Sequence, residues 1–320
     1  MIKKKILIFG STGQIGRHLI RKLTKNNYSV VCHTRNSHKA VFLKTSGSIG
    51  YIDIVESDIF NFEKIDKLIQ ECDICINLIG ILFESGKKNT FKNIHVNFPK
   101  LISSICKNNN KDLIHISALA LDKAKDSKYA SSKIEGENII KKNIQDVVII
   151  KPSIVFSVMD SFSTKFMSML NILPFFPLYY GGKTKYSPIH ASDLTNLIYH
   201  VITNEIKNKE IEAIGPEILT FKEMLQILIK GIGKKRLLLP LPLSLAKFTA
   251  YMFEYLPKPI ITLDQLRLLK YDNIKSEKGI TNYDIGCPSK VKFEEGILKY
   301  SYNWREGGQF SVKNLKKNNL

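Results

Sequence analysis

Tyr129 and Lys133 stand four residues apart in "YASSK". Four residues along a helix return to the same face, so the two side chains are placed to work together. A phenol, with a pKa of about 10, is a poor proton carrier at neutral pH. A neighbouring ammonium group favours the phenolate and can also hold a ribose hydroxyl. Such a pair can pass a proton to or from a carbonyl or hydroxyl during hydride transfer. A second cluster lies near the start of the chain, where Gly10, Gly13 and Gly16 are spaced three apart in "GSTGQIG". Glycines here permit a tight turn and let the backbone approach a diphosphate that a Cβ would obstruct. The phosphate then meets amides at the start of a helix. Gly10, Ser11, Thr12, Gly13, Gln14, Ile15, Gly16 and Arg17 are the residues expected to line it.

The choice of nucleotide is read from the following strand. A site for NAD places an acid about 20 residues on, where it binds the ribose hydroxyls. Here the segment is "VVCHTRNSHK", which has no acid and carries Arg35 near that place. An arginine can hold a 2′-phosphate through two parallel hydrogen bonds. Arg17 and Lys39 add positive charge, so NADP(H) is expected ahead of NAD(H).

The elements that must position these residues follow an alternating pattern. "KILIFG", "YSVVCHTR", "IGYIDIVESD", "DICINLIG", "DLIHISAL" and "DVVIIKPSIVF" read as strands. Between them, Gly16 to Asn26, "FEKIDKLIQEC", Asn93 to Lys107 and Tyr129 to Lys142 read as helices. This rhythm predicts an α/β fold, a Rossmann-like doubly wound parallel sheet. After Phe156 the pattern changes to a loop-rich, aromatic segment, "ILPFFPLYYGGKTKYSP". The expected organisation is a core over 1–157, with 186–216 returning to it. A smaller, mostly helical C-terminal cap then takes 158–185 and 217–320. In that cap Thr220 and Glu223 form a capping-box pattern. Ser244 is expected to cap a helix running to Leu256, with Leu245, Phe248, Met252 and Leu256 on one stripe. That stripe suits either the core or a face that meets lipid or a larger assembly.

The 320 residues carry a formal net charge of +19, supplied almost wholly by lysine. The lysines are dispersed and not interleaved with aromatics, so no nucleic-acid partner is expected. An anionic membrane surface or an acidic protein remains compatible with this charge. The five cysteines suit reduced thiols in a cytoplasmic setting. Cys72 and Cys75 form a CxxC at a strand, where they would face opposite sides, so core thiols are expected and no metal site. The first strand begins within a few residues of Met1, which leaves no room there for a targeting segment.

The landmarks together resemble the extended short-chain dehydrogenase/reductase family. They are "GSTGQIG", "ESDI", "NLIG", "HVNFPK", "YASSK" and "KPSIVF". The likeness is strongest to the atypical branch that holds the NADPH-binding accessory subunit of respiratory complex I and its bacterial relatives. "NLIGILFESGKKNTFKNIHVN", "LIHISALAL", "GPEILTF", "LLLPLPLSLAK", "LDQLRLLKYDN" and "WREGGQF" carry that closer resemblance. It implies Asp58 and Ile59 beside the adenine, with Leu78, Gly80, Asn97, Tyr129, Lys133 and Pro152 also at the cofactor. It implies Ser117, Tyr129 and Lys133 as the catalytic group. In "HISALAL", however, the catalytic hydroxyl position can instead fall on Ala118 or Leu119, neither of which can polarise a substrate oxygen. Two functions follow. One is a dinucleotide-carrying accessory or assembly component of NADH:ubiquinone oxidoreductase with little or no turnover. This would be cytoplasmic or peripheral on the inner face of the cytoplasmic membrane. The other is an active reductase or epimerase on a lipid, quinone-related or sugar-nucleotide substrate.

Overall fold

The chain opens with β1 (Lys5–Phe9), whose side chains alternate between two buried faces. Leu7 and Phe9 enter one hydrophobic core, while Ile6 and Ile8 point to the other side of the sheet. The structure, a computed structural model, describes residues 3–254 and 261–310. α1 (Gln14–Thr24), β2 (Ser29–Thr34) and β3 (Ile52–Glu56) follow β1. Then come α2 (Phe62–Gln70), β4 (Ile74–Asn77), α3 (Phe98–Asn108), β5 (Asp112–Ile116), α4 (Lys128–Asn143) and β6 (Val148–Pro152).

Four short strands follow: β7 (Val155–Phe156), β8 (Phe175–Leu178), β9 (Lys185–Tyr186) and β10 (Ile189–His190). α5 (Ser163–Ile172) lies among them. After them come α6 (Ala191–Thr203) and β11 (Lys209–Ala213). β1 to β6 and β11 form one parallel sheet in the order β11-β6-β5-β4-β1-β2-β3. The strand order reverses between β1 and β4, and ligands of such sheets lie outside the carboxyl ends of the strands at that point. Two layers of helix cover the sheet. α1 and α6 bury Leu19, Ile20 and Leu23 with Leu194, Ile198 and Val201. On the opposite face Ile65, Ile69, Phe98, Ile102, Ile105 and Ile140 complete the core with Leu7 and Phe9. The Ile and Val runs of several strands, such as Val148–Ile150 in β6, suit burial on both sides.

The described residues divide into two units. The first takes the chain to Pro152, Ala191–Ala213 and Lys275–Pro288. The last of these segments was expected in the cap, but it runs beside β11, where the Glu212 amide donates to the Ile280 carbonyl. The second unit takes Ser153–His190, Ile214–Ile274 and the chain from Ser289 on. It holds helices together with short strands. Three two-stranded pairs accompany its helices: β7 with β10, β9 with β12 (Leu219–Thr220), and β8 with β13 (Leu237–Pro240). Its core gathers Phe156, Met167, Phe176, Phe293 and Ile297 on α7 (Phe221–Ile232). Thr220 and Glu223 cap α7 reciprocally, as their spacing predicts.

α8 spans Leu243–Glu254, so Ser244 lies inside the helix rather than at its cap, and Leu256 lies outside the described residues. Leu245, Phe248 and Met252 are exposed. Among the described residues no helix is long and apolar enough to cross a membrane.

Candidate dinucleotide site

The turn between β1 and α1 is built around two crowded glycines. Gly10 has φ +85°, a left-handed conformation that glycine adopts without strain. A Cβ on Gly16 would lie 2.5 Å from the Ser11 carbonyl oxygen, so α1 can pack this close only with glycine there. Gly13 is the N-cap of α1 and supplies no side chain to its first amides. The turn is thus bare backbone at a helix start, which is the cradle a diphosphate requires. The Ser11 hydroxyl donates to the His33 carbonyl at 2.8 Å and ties the turn to β2. Gly10 packs on Leu78, where an added Cβ would come within 3.2 Å, so two segments predicted to bind cofactor adjoin.

At the end of β2, Arg35 is exposed and its Nη1 is 3.4 Å from Asn89 Oδ1. Arg17 lies over the Phe42 ring at 4.2 Å, and its Nε donates to the Thr12 carbonyl at 2.8 Å. No acid occupies the carboxyl end of β2. Asp58, after β3, accepts from the Phe60 amide at 3.0 Å and from Lys88 Nζ at 2.8 Å. The Lys88 hydrogen bond, then that of Phe60, holds its carboxyl below the usual range. Ile59 beside it is buried in the core. Asp58 and Asn97 open onto one groove of about 760 Å³ together with Lys88, Asn93 and Lys100.

The tyrosine and lysine lie on α4, as their spacing predicts. Ser127 starts that helix by accepting the Ala130 amide at 3.2 Å. Lys133 Nζ stands 6.0 Å from the Tyr129 ring centre and 3.3 Å from the Ile116 carbonyl oxygen. Burial brings its pKa down to about 8. Burial, and then the Glu137 carboxylate, push the Tyr129 phenol well above its ordinary value. Gly80 adjoins the pair, since a Cβ there would lie 3.4 Å from Lys133 Nζ. Pro152 is buried at the end of β6, and its carbonyl accepts the Leu119 amide at 2.9 Å.

Ser117 and Asn97 both have partners within the fold. The Ser117 hydroxyl donates to Glu137 inside the fold. Ala118, the next residue, has no hydroxyl to present on the other side of the extended chain. Asn97 is exposed and bonds Asn93 at 3.0 Å, in the Asp58 groove. His95, two residues before Asn97, packs against Tyr129 within electrostatic reach of Lys133. Its ring lies 5.3 Å from that of Tyr129, and its Nε2 would lie 3.9 Å from a Cβ on Gly80. Sequence reasoning missed His95 because residues 92–97 form a turn of π-helix, while Asn93 to Lys107 was expected to be one regular helix. A π-turn re-aims side chains and is common at functional sites. Cys72 flanks β4 and Cys75 lies on it, and both are buried core thiols, Cys75 hydrogen-bonded to the Cys106 thiol.

Residues 6–215 match the family model described as "NAD dependent epimerase/dehydratase family". The chain belongs to that family. Membership in it supports binding of a nicotinamide dinucleotide. Two relatives extend the likeness beyond the matched segment. "NADH dehydrogenase (ubiquinone) 1 alpha subcomplex subunit 9, mitochondrial" of Dictyostelium discoideum is 28% identical over 95% of this chain and 86% of its own length. The "NADH-ubiquinone oxidoreductase 40 kDa subunit, mitochondrial" of Neurospora crassa is 25% identical over 87% of this chain and 74% of its own. Among solved structures, a UDP-glucuronic acid 4-epimerase from Bacillus cereus shares the fold. It has a TM-score of 0.68 and 19% identity, over 94% of this chain and 98% of the other.

Proposed function

We propose that this protein carries NADP(H) as an accessory or assembly component associated with NADH:ubiquinone oxidoreductase, with little or no turnover. The observation that carries the reading is the length of the likeness. The Dictyostelium subunit matches 95% of the chain, so the likeness reaches past the family segment into the second unit. The chemistry agrees. The Ser117 hydroxyl is engaged by Glu137, and the Tyr129 phenol is held above its ordinary pKa. The exposed Leu245, Phe248 and Met252 of α8 suit attachment to an assembly or to the inner face of a membrane.

The glycine turn would hold the diphosphate, Asp58 and Leu78 the adenosine half, and Tyr129, Lys133 and Gly80 the nicotinamide ribose. Arg35, with Lys39 nearby in sequence and Arg17 on the first helix, favours a 2′-phosphate because β2 ends without an acid that would repel it. When bound, the cofactor supplies a hydride. The protein's own residues supply binding, and Tyr129 supplies the nearest proton.

The test is the native protein recovered from its own cell with a small tag. NADPH released on denaturation and subunits of NADH:ubiquinone oxidoreductase in the same eluate support the reading. A nucleotide-free protein that elutes alone overturns it. A second reading, an active reductase or epimerase, rests on the intact pair of Tyr129 and Lys133. Consumption of bound NADPH on adding carbonyl compounds would favour it.

A further inference from the structure

His95 joins three segments that are distant in sequence. Its imidazole is 3% exposed. Nε2 accepts the Ile81 amide at 3.2 Å, from the loop that follows β4. Nδ1 lies 2.9 Å from Ser132 Oγ on α4. The Ser132 hydroxyl in turn donates to the Tyr129 carbonyl at 2.9 Å. These partners leave one consistent proton arrangement. Ile81 gives its hydrogen to Nε2, Ser132 gives its own to Tyr129, and the ring proton therefore sits on Nδ1. One face of the ring stacks on Phe91 at 5.3 Å, and the Tyr129 ring meets it edge-on at 5.3 Å.

The backbone fixes the ring's position as firmly as these bonds do. The π-turn over Lys92–Asn97 presents the His95 carbonyl to α4. Only a glycine at position 136 admits it, because a Cβ there would come within 1.9 Å of that oxygen. Burial, then the Lys133 cation, bring the imidazole's pKa down to about 3, so it stays neutral and keeps both bonds near neutral pH.

We propose that His95 is a positioning residue of the dinucleotide site, setting the gap between Gly80–Ile81 on one side and Tyr129–Lys133 on the other. That gap is where the nicotinamide ribose must fit, so the proposal rests on the dinucleotide reading. His95 acts only through its neighbours. Its two ring nitrogens are already committed to Ile81 and Ser132, which leaves no donor for a substrate.

The test uses the full chain stripped of nucleotide, with two ligands measured by calorimetric titration. NADPH reaches the His95 gap. 2′,5′-ADP carries the same adenosine phosphates but has no nicotinamide ribose. His95→Ala is expected to weaken NADPH by about tenfold, the equivalent of one buried hydrogen bond, and to leave 2′,5′-ADP within about twofold. His95→Gln keeps an acceptor for the Ile81 amide and should recover most of the NADPH affinity. Ser132→Ala, which removes the other partner, should show the same ligand-selective loss and serves if His95→Ala does not fold. Equal weakening of both ligands, or of neither, overturns the proposal. A wild-type chain that binds neither ligand overturns the dinucleotide reading itself. One that binds 2′,5′-ADP as tightly as NADPH overturns only the role of His95.

Discussion

Ser117 gives its hydroxyl to Glu137, and the other oxygen of Glu137 holds Lys151 at 3.0 Å. Both members of the first pair are buried, and Glu137 lies one helical turn beyond Lys133. A buried carboxylate must keep its hydrogen-bond donors or its charge becomes costly. The bond therefore stabilises the join of β5 to α4. Ser117→Ala is expected to cost about 1–3 kcal/mol of stability, read by urea unfolding. NADPH affinity should stay within about twofold, since phosphate and ribose contacts are untouched. A selective loss of affinity with stability unchanged would put Ser117 against the ligand instead.

Tyr129→Phe removes one oxygen from a ring already anchored by His95 and Phe91. Dinucleotide affinity should fall by no more than about threefold, the loss of a single ribose contact. Any NADPH consumption in the presence of carbonyl compounds should disappear, because the phenol is the proton carrier closest to the site. Equal turnover by the two proteins, followed at the nicotinamide absorbance, would rule out the reductase reading.

Arg35→Asp replaces a cation at the end of β2 with the kind of residue that binds ribose hydroxyls. NADPH should weaken by roughly 10- to 100-fold, the range for losing a charged hydrogen bond and adding a like charge. NADH should change little or bind more tightly. Parallel titrations decide, and equal effects on both would refute the assignment of Arg35 to the 2′-phosphate.

Acid should destabilise the protein through its buried imidazoles. Burial brings His33 down to about 4. Burial, then Lys133, lower His95 to about 3 and His115 well below its ordinary value. Each folded value lies below the unfolded value of about 6.5. Above that pH neither state binds the proton, and the groups have no effect on stability. As pH falls through about 6.5, the unfolded chain takes up protons that the native chain refuses, so stability drops. The loss levels off for each group only below its folded value. Each histidine adds a slope approaching about 1.4 kcal/mol per pH unit between these limits. His33→Gln should remove one such contribution, visible as a shallower fall in urea-unfolding stability between about pH 6 and pH 4.5. An unchanged slope would mean that His33 already titrates in the native state.

Gly136→Ala tests the packing that sets the π-turn. The new methyl would meet the His95 carbonyl at 1.9 Å, and backbone cannot yield as a flexible side chain does. A loss of about 3 kcal/mol or more is expected, at the upper end for overpacking. Thermal unfolding measures it, and a neutral outcome would show that α4 can slide away from the turn.

Much of the site was legible in the residues themselves. Gly10 and Gly16 announce a turn where no side chain fits, and both prove crowded by backbone. Several strands are rich in Ile and Val, and they lie in a sheet covered on both faces. Tyr129 and Lys133 share one face of a helix because helical periodicity is a local property. Local pattern did less well where an element departs from its regular period. One regular helix was expected from Asn93, yet a π-turn over Lys92–Asn97 brings His95 against Tyr129. Segment 275–288 shows a different limit. Its place beside β11 depends on pairing with a strand more than sixty residues earlier, a relationship that composition does not carry.

By itself, the order of residues determined that this chain would build a parallel α/β sheet with a glycine turn after β1 and a Tyr–Lys helix. Those features arise from short-range rules of strand, turn and helix. Tertiary structure alone decided that Ser117 would turn to Glu137, that Asp58 would pair with Lys88, and that His95 would join Ile81 to Ser132. Each of those partnerships spans at least fourteen residues of chain. The buried ones form because packing brings distant polar groups into places where leaving any one unpaired would cost more than the bond itself contributes; the exposed Asp58–Lys88 pair follows only from the fold placing the two charges side by side.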